Sequence, residues 1–149
     1  MIPTITLTDT PDPRSRHAIL APLVRFNGQQ AGRPEDHRPL AMLLSHPDTG
    51  EVIGGLWGET MYSHLHVDLL FIPEPLRRTG IGRRLMGDAE AEAILRGCGG
   101  AWLDTFSFQA RGFYERLGYA LFGTIEDYPP GHRRFFMKKD LSAAEGASV

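Results

Sequence analysis

Four arginines and two glycines are concentrated in the stretch RRTGIGRR, residues 77–84, whose chemistry suits phosphate binding. A strand-like pattern ends before it at Pro73 and Pro75, and a helical pattern follows it. The first N–H groups of a helix lack partners within the helix, and the helix dipole adds positive charge there. Gly80 and Gly82 have no side chains, so an anion could approach the main chain closely. An ordinary helix start with solvated arginines is the alternative, but this combination of residues favours phosphate.

A second group of reactive side chains, His64, His66 and Asp68, alternates along the strand pattern HLHVDLLF, residues 64–71. Because side chains alternate along a strand, the three would share one face, where one could act as a general base. The opposite face would carry Leu65, Val67, Leu69 and Phe71. Asp104 and Glu59 are further candidates for the base, and each of these residues also has a plausible structural role.

The run His64-x-His66-x-Asp68 also resembles part of the H-x-H-x-D-H motif of metallo-hydrolases. Residue 69 is leucine, however, and no second cluster of Cys or His follows downstream. We therefore predict no metal, and a metal-dependent hydrolase is kept as an alternative from a different functional class.

Length and composition predict a single domain over residues 1–141, followed by a disordered tail at 142–149. The chain has 149 residues and a net charge of −2, so bulk attraction to nucleic acid is not expected. No apolar run approaches the ~20 residues of a membrane span. Cys98 is the only cysteine, and the N-terminus lacks a signal-peptide pattern, so we expect a cytoplasmic protein without disulfides.

The remaining pattern predicts a mixed sheet of the α/β (α+β) class. A short strand at 5–7 precedes a helix that is capped by Asp12 and has a kink or a break at Pro22, and a loop spans 27–39. A hairpin then leads into the central strand, the glycine turn and a helix ending at Gly97. The later elements are a strand at 101–105, a helix at 109–117, and strands at 119–125 and 134–138.

Two motifs resemble the GNAT superfamily of N-acetyltransferases. Arg77, Gly80 and Gly82 fit its pyrophosphate loop, [RQ]-x-x-G-x-[GA]. The segment QARGFYERLGY, residues 109–119, resembles the family segment A-x-x-F-Y-[EK]-[RK]-[LF]-G-[FY], and it follows the glycine turn in the family's order. This resemblance implies a mostly antiparallel sheet, flanked by helices and splayed between its central strands. It also implies acetyl transfer from acetyl-coenzyme A to an amine of a small molecule or peptide, with a homodimer as the family habit.

The resemblance implies site residues as well. Tyr114 fits the position that protonates the departing thiolate, and among the base candidates we rank Asp68 first and His66 second. The residues expected to bind acetyl-coenzyme A are Leu70, Phe71, Ile72, Arg77, Arg78, Thr79, Gly80, Ile81, Gly82 and Ser107. A non-catalytic acyl-coenzyme A sensor on the same fold is the alternative, and it would differ at Tyr114 and at the base.

Overall fold

The computed structural model describes residues 1–142, and the predicted disordered tail lies outside them apart from Ser142. The chain divides into two compact units, one over Met1–Glu35 and the other beginning at Asp36. The assignment of residues 1–141 to one functional domain stays a prediction.

The first unit contains one helix, α1 (Pro13–Ala31). The side chain of Asp12 caps its start by accepting from the N–H of Arg14, and Gly32 ends it in the left-handed conformation. The predicted break at Pro22 is wrong, because the helix continues through this residue. The predicted loop at 27–39 is therefore shorter, and residues 5–7 of this unit form no strand.

The second unit is built on a six-stranded sheet with the strand order β1-β2-β3-β4-β6-β5. The strands are β1 (Arg38–Ser45), β2 (Val52–Met61), β3 (His64–Phe71), β4 (Gly100–Phe106), β5 (Ala120–Glu126) and β6 (Arg133–Asp140). The helices among its described residues are α2 (Ile81–Leu95) and α3 (Arg111–Arg116), and a 3-10 turn covers Glu74–Leu76. Only β3 and β4 run parallel, which confirms the predicted mixed, mostly antiparallel α+β sheet.

The parallel pair β3–β4 separates halfway along its length. Its pairing begins at His64 opposite Gly100 and ends at Val67 opposite Leu103. Beyond that point β3 continues to Phe71 and β4 to Phe106 without pairing with each other. The sheet is therefore open at its centre, as the resemblance implied, and the backbone edges there face a gap.

A β-bulge at Asp68 reverses the alternation of β3. Trp57 pairs with Leu69 and Gly58 pairs with Val67, so Asp68 is an extra residue that pairs with no residue of β2. Leu65 and Val67 are buried, whereas Leu69 and Phe71 are exposed. The expectation that these four side chains share one face is thus wrong.

The core of this unit lies between α2 and one face of the sheet. Leu85, Met86, Ala89 and Ala93 form the buried stripe of α2. The sheet contributes buried side chains to the same cluster, including Leu56, Leu65, Leu103 and Met137. This packing fixes where the N-terminus of α2 meets the open part of the sheet.

Candidate active site

The glycine turn is held against the end of β3 by its own side chains. Nε of Arg77 donates to the carbonyl oxygen of Ile72 at 2.9 Å. The hydroxyl of Thr79 donates to the carbonyl oxygen of Leu76 at 2.6 Å. Gly80 has φ +87°, a left-handed conformation that a side chain would strain. Arg77 therefore fixes the position of the turn, a role that its place in the motif does not reveal.

The N-terminus of α2 offers backbone N–H groups to an anion. Gly80 is the N-cap residue and no side chain caps the helix. The first helical hydrogen bond runs from the N–H of Arg84 to the carbonyl of Gly80, so the N–H groups before it have no partner within the helix. The exposed side chains of Arg78 and Arg83 lie in or next to this turn. These donors fit the pyrophosphate of coenzyme A.

The two sequence motifs meet at Gly82. A Cβ placed on Gly82 would lie 3.3 Å from Cζ of Phe113 and 3.6 Å from Cγ1 of Ile72. The ring of Phe113 thus packs against the backbone of the glycine turn, and α3 is positioned by this contact.

The free edge of β3 provides the second part of the predicted cofactor site. Leu70 and Phe71 lie beyond Val67, where β3 has lost its pairing with β4. Leu70 pairs with Leu56 on the other side, so the backbone edge that faces the gap can pair with an extended ligand. Ile72 lies immediately after the strand, and its carbonyl oxygen already accepts from Arg77.

Tyr114 on α3 is largely buried among aromatic rings. Its ring lies edge-on to Phe113 at 5.2 Å and to Tyr119 at 6.2 Å between centroids. Burial, with a smaller contribution from the charge of Asp104, raises the pKa of Tyr114 to about 12. The phenol therefore keeps its proton at neutral pH and is a hydrogen-bond donor.

Asp104 forms an ion pair with Arg134, which the sequence motifs do not predict. Nε of Arg134 donates to Oδ2 of Asp104 at 2.7 Å, and Nη1 of Arg134 donates to the hydroxyl of Tyr128 at 3.0 Å. Asp104 and Arg134 are 30 residues apart. No local pattern could have predicted this pair.

His66 and Glu59 come together on the sheet face opposite α2. The ring of His66 is stacked on Trp102, with 3.9 Å between centroids, and its Nδ1 lies 3.7 Å from a carboxylate oxygen of Glu59. The other oxygen of Glu59 contacts Nε2 of His37 at 2.6 Å. His64 lines the same small pocket as Glu59, His66 and Trp102, and its Nδ1 contacts the carbonyl oxygen of Tyr62 at 3.0 Å.

Asp68 is exposed at the bulge, one residue beyond the last β3–β4 pair. As the extra residue of the bulge, it has no paired residue on β2. Of the two base candidates ranked from the sequence, Asp68 lies at the mouth of the gap and His66 lies beside the paired part of the sheet.

Ser107 lies in the turn after β4 and extends the pairing with β6. Its N–H donates to the carbonyl of Arg133 at 2.8 Å, and its hydroxyl accepts from the N–H of Arg133 at 3.0 Å. Its predicted contact with the cofactor stays a prediction.

Two further features of residues 1–142 bear on the alternatives. Within this described part, no three or more His, Cys, Asp or Glu side chains are grouped as a metal ion would require. None of the helices in the same part combines the length and apolar character needed to span a bilayer.

Comparison with known proteins gives the family. The model of the Acetyltransferase (GNAT) family matches residues 6–119. The chain belongs to the GNAT family of acetyltransferases. The match includes both the glycine turn and the α3 motif on which the resemblance was based.

The relatives of this GNAT chain are acetyltransferases. Blasticidin-S acetyltransferase of Streptomyces morookaense is 43% identical over 107 residues, covering 70% of this chain and 79% of that protein. An acetyltransferase of Agrobacterium fabrum is 38% identical over 133 residues, covering 89% and 96%. The crystal structure of a candidate acetyltransferase from Agrobacterium tumefaciens has a TM-score of 0.86 at 36% identity, covering 92% of this chain and 98% of that one. Acetyl transfer is thus the activity that the family and these relatives share.

Proposed function

We propose that this GNAT acetyltransferase moves an acetyl group from acetyl-coenzyme A to a primary amine of a small molecule by direct attack. The observation that carries the proposal is the gap between β3 and β4 beyond Val67 and Leu103. The glycine turn lies at the end of β3, and Tyr114 follows the end of β4. The similarity to blasticidin-S acetyltransferase supports a small-molecule acceptor.

The chain's own groups would hold acetyl-coenzyme A at two places. The N–H groups at the start of α2, with Arg78 and Arg83, would receive the pyrophosphate. The free backbone edge at Leu70 and Phe71 would pair with the pantetheine arm, as a strand pairs with an extended peptide. When bound, acetyl-coenzyme A supplies an activated thioester, and the open sheet would place that thioester in the gap.

Tyr114 would act mainly by hydrogen bonding. Full proton transfer from a phenol with a pKa of about 12 to a thiolate whose thiol has a pKa of ~8.5 is uphill. A hydrogen bond to the charge that develops on sulfur needs no such transfer and is effective in a site shielded from water. The departing thiolate would then receive its final proton from solvent, with Tyr114 stabilising it until that moment.

Asp68 would accept the proton that the amine loses, directly or through water. The nitrogen attacks as the neutral amine, since an alkyl ammonium, with a pKa near ~10.4, has no free electron pair. Once the C–N bond has formed, the nitrogen is far more acidic than a free ammonium, and at this stage a carboxylate can take its proton. Asp68 is exposed at the mouth of the gap, which favours it over Asp104, whose carboxylate is paired with Arg134. In the reaction the C–N bond forms, the C–S bond breaks, and one proton passes from nitrogen toward Asp68.

A thiol-release assay with acetyl-coenzyme A and a panel of primary amines tests this function. Release that depends on an amine supports the proposal. Binding of acetyl-coenzyme A without release for any amine would instead support the sensor alternative. Activity that is lost with a chelator and restored by zinc would support the hydrolase alternative.

A further inference from the structure

Four aromatic side chains form a surface at the end of β4, three of them with nearly parallel rings. The rings of Phe106 and Phe108 have centroids 5.1 Å apart and planes 5° from parallel. Phe106 and Tyr128 are 5.7 Å apart with planes at 14°. His132 meets Phe108 edge-on at 5.1 Å. We refer to Phe106, Phe108, Tyr128 and His132 as the aromatic shelf.

The shelf adjoins the gap on the face of the sheet opposite α2. Along β4 the core face carries the buried residues Ala101, Leu103 and Thr105. Phe106 alternates with these residues, as does Asp104, so both side chains belong to the opposite face. Phe106 is also three residues beyond Leu103, where pairing with β3 ends. A molecule lying on the shelf would therefore reach the gap from the side away from the glycine turn.

Arg134 holds the shelf rigid. Its guanidinium lies 5.3 Å from the ring centroid of Phe106 and 5.0 Å from that of Tyr128, within the range of cation–π attraction. The same guanidinium donates to the hydroxyl of Tyr128 and to Asp104. A surface fixed in this way loses little conformational entropy when a ligand binds.

The shelf offers both apolar area and an acceptor for a cation. The side chains of Phe108 and Tyr128 are 57% and 43% exposed. The contacts of Arg134 with Asp104 both involve Oδ2, which leaves Oδ1 outside that ion pair. Flat rings prefer to stack on aromatic faces, and an ammonium prefers a carboxylate.

We infer that the acceptor is a small amine bearing a flat aromatic or heteroaromatic ring, which stacks on the aromatic shelf while its amine reaches toward Asp104 and the gap. This inference rests on the proposed function and adds the substrate class. Asp104 would position the amine in this arrangement, and Asp68 would remain the proton acceptor.

The test compares matched pairs of primary amines that differ in whether the ring is flat. One pair is 2-phenylethylamine and 2-cyclohexylethylamine, and further pairs use heteroaromatic rings and their saturated forms. We expect kcat/KM to favour the flat member by about three- to tenfold, the range of one aromatic stacking contact. Phe108→Leu and Tyr128→Leu should bring this ratio close to one.

Phe122→Leu is the matched control. Phe122 is another exposed phenylalanine, on β5, whose ring contacts Phe136 at 6.4 Å and belongs to no part of the shelf. This variant should keep the wild-type ratio. Sedimentation of all variants shows whether the shelf instead joins two copies of the chain.

Each outcome decides the inference. Amine-dependent thiol release with no preference for flat rings overturns the inference that the shelf binds the acceptor, and so does a preference that both shelf variants retain. The proposed function stands in both cases. If the shelf variants change in molar mass but keep the wild-type kcat/KM ratio of flat to saturated amines, the shelf is an interface between two copies of the chain. This result also overturns the inference. Absence of thiol release with every amine overturns the proposed function, and the inference with it.

Discussion

Gly82 and Phe113 are in contact although they belong to motifs about thirty residues apart in the chain. A Cβ on Gly82 would lie 3.3 Å from Cζ of the Phe113 ring, closer than most Cβ contacts. The absence of a side chain at residue 82 therefore serves two purposes. It leaves the N-terminus of α2 accessible to a phosphate, and it allows α3, with Tyr114, to pack against the glycine turn.

Gly82→Ala should weaken binding of coenzyme A while the protein remains folded. The added methyl would project where Phe113 packs, and the ring would have to move by a few tenths of an ångström. We expect a smaller rise in melting temperature on addition of coenzyme A than in the wild type. Gly87→Ala is the control, because a Cβ there meets nothing within 4 Å. It should stabilise α2 by about 0.5–1 kcal/mol and leave the rise unchanged. An equal rise in melting temperature in both variants would show that the glycine turn is not part of the cofactor site.

Tyr114→Phe should reduce turnover by about 10²–10³, as loss of one donor to a developing charge typically does. The ring and its contacts with Phe113 and Tyr119 would remain, so coenzyme A binding should persist. Tyr119→Phe is the matched control, since the buried hydroxyl of Tyr119 has no hydrogen-bond partner among the described residues. Wild-type turnover in Tyr114→Phe, with acetyl transfer shown to be the slow step, would make Tyr114 a packing residue.

The fold was predictable where local sequence decides the conformation. The start of α2 at Gly80, its end near Gly97 and the helix predicted at 109–117, which is α3, all depend on residues close together in the chain. The bulge at Asp68 was not predictable, because it depends on how Trp57 and Gly58 pair with the neighbouring strand. Alternation read along one strand cannot reveal an extra residue that the partner strand does not match.

The geometry of the candidate site was predictable to a similar extent. The places of the glycine turn before α2 and of Tyr114 on α3 follow from motifs with fixed spacing, and their roles in binding and catalysis stay predictions. Arg134 of β6, which pairs with Asp104, and His37 of the loop before β1, which contacts Glu59, are distant in the chain and carry no local signal. Because of these partners, the carboxylates of Asp104 and Glu59 are already paired, whereas Asp68 is exposed where the gap begins.

Asp68→Asn should lose activity at neutral pH and recover part of it at high pH. The amide cannot accept a proton, but above the pKa of the ammonium, near ~10.4, much of the amine is already neutral. His66→Gln is the comparison, because His66 is stacked on Trp102 beside the paired part of the sheet. We expect its pH–rate profile to match that of the wild type. The same unchanged profile in Asp68→Asn would transfer the role to Glu59 or Asp104.

Glu90 should make the protein less stable as pH rises. Burial raises the pKa of this carboxyl and outweighs the opposing effect of Lys139, whose Nζ lies 2.6 Å from Oε1 of Glu90. The folded state therefore binds more protons than the unfolded state at pH values just above 4.5, the ordinary pKa of a glutamate. The contribution of Glu90 is complete below that pH and is lost as pH rises through the raised pKa.

Urea unfolding of Glu90→Gln across this pH range measures the effect. Relative to the wild type, the free energy of unfolding of the variant should increase as pH rises. Asp88→Asn removes a carboxylate from the same helix that pairs with the exposed Arg84, and its difference from the wild type should stay within ~0.5 kcal/mol. Parallel curves for Glu90→Gln and the wild type would show that burial does not perturb Glu90.

Transfer of a labelled acetyl group is the most direct measurement of the central claim. The protein is incubated with acetyl-coenzyme A carrying a ¹³C-acetyl group and with a panel of primary amines, and the products are identified by mass spectrometry. We expect an N-acetylated amine that carries the label and forms in equal amount to the free thiol. The yield of both products should be strongly reduced in Tyr114→Phe. Free thiol accompanied only by labelled acetate, or no thiol at all with any amine, would contradict it.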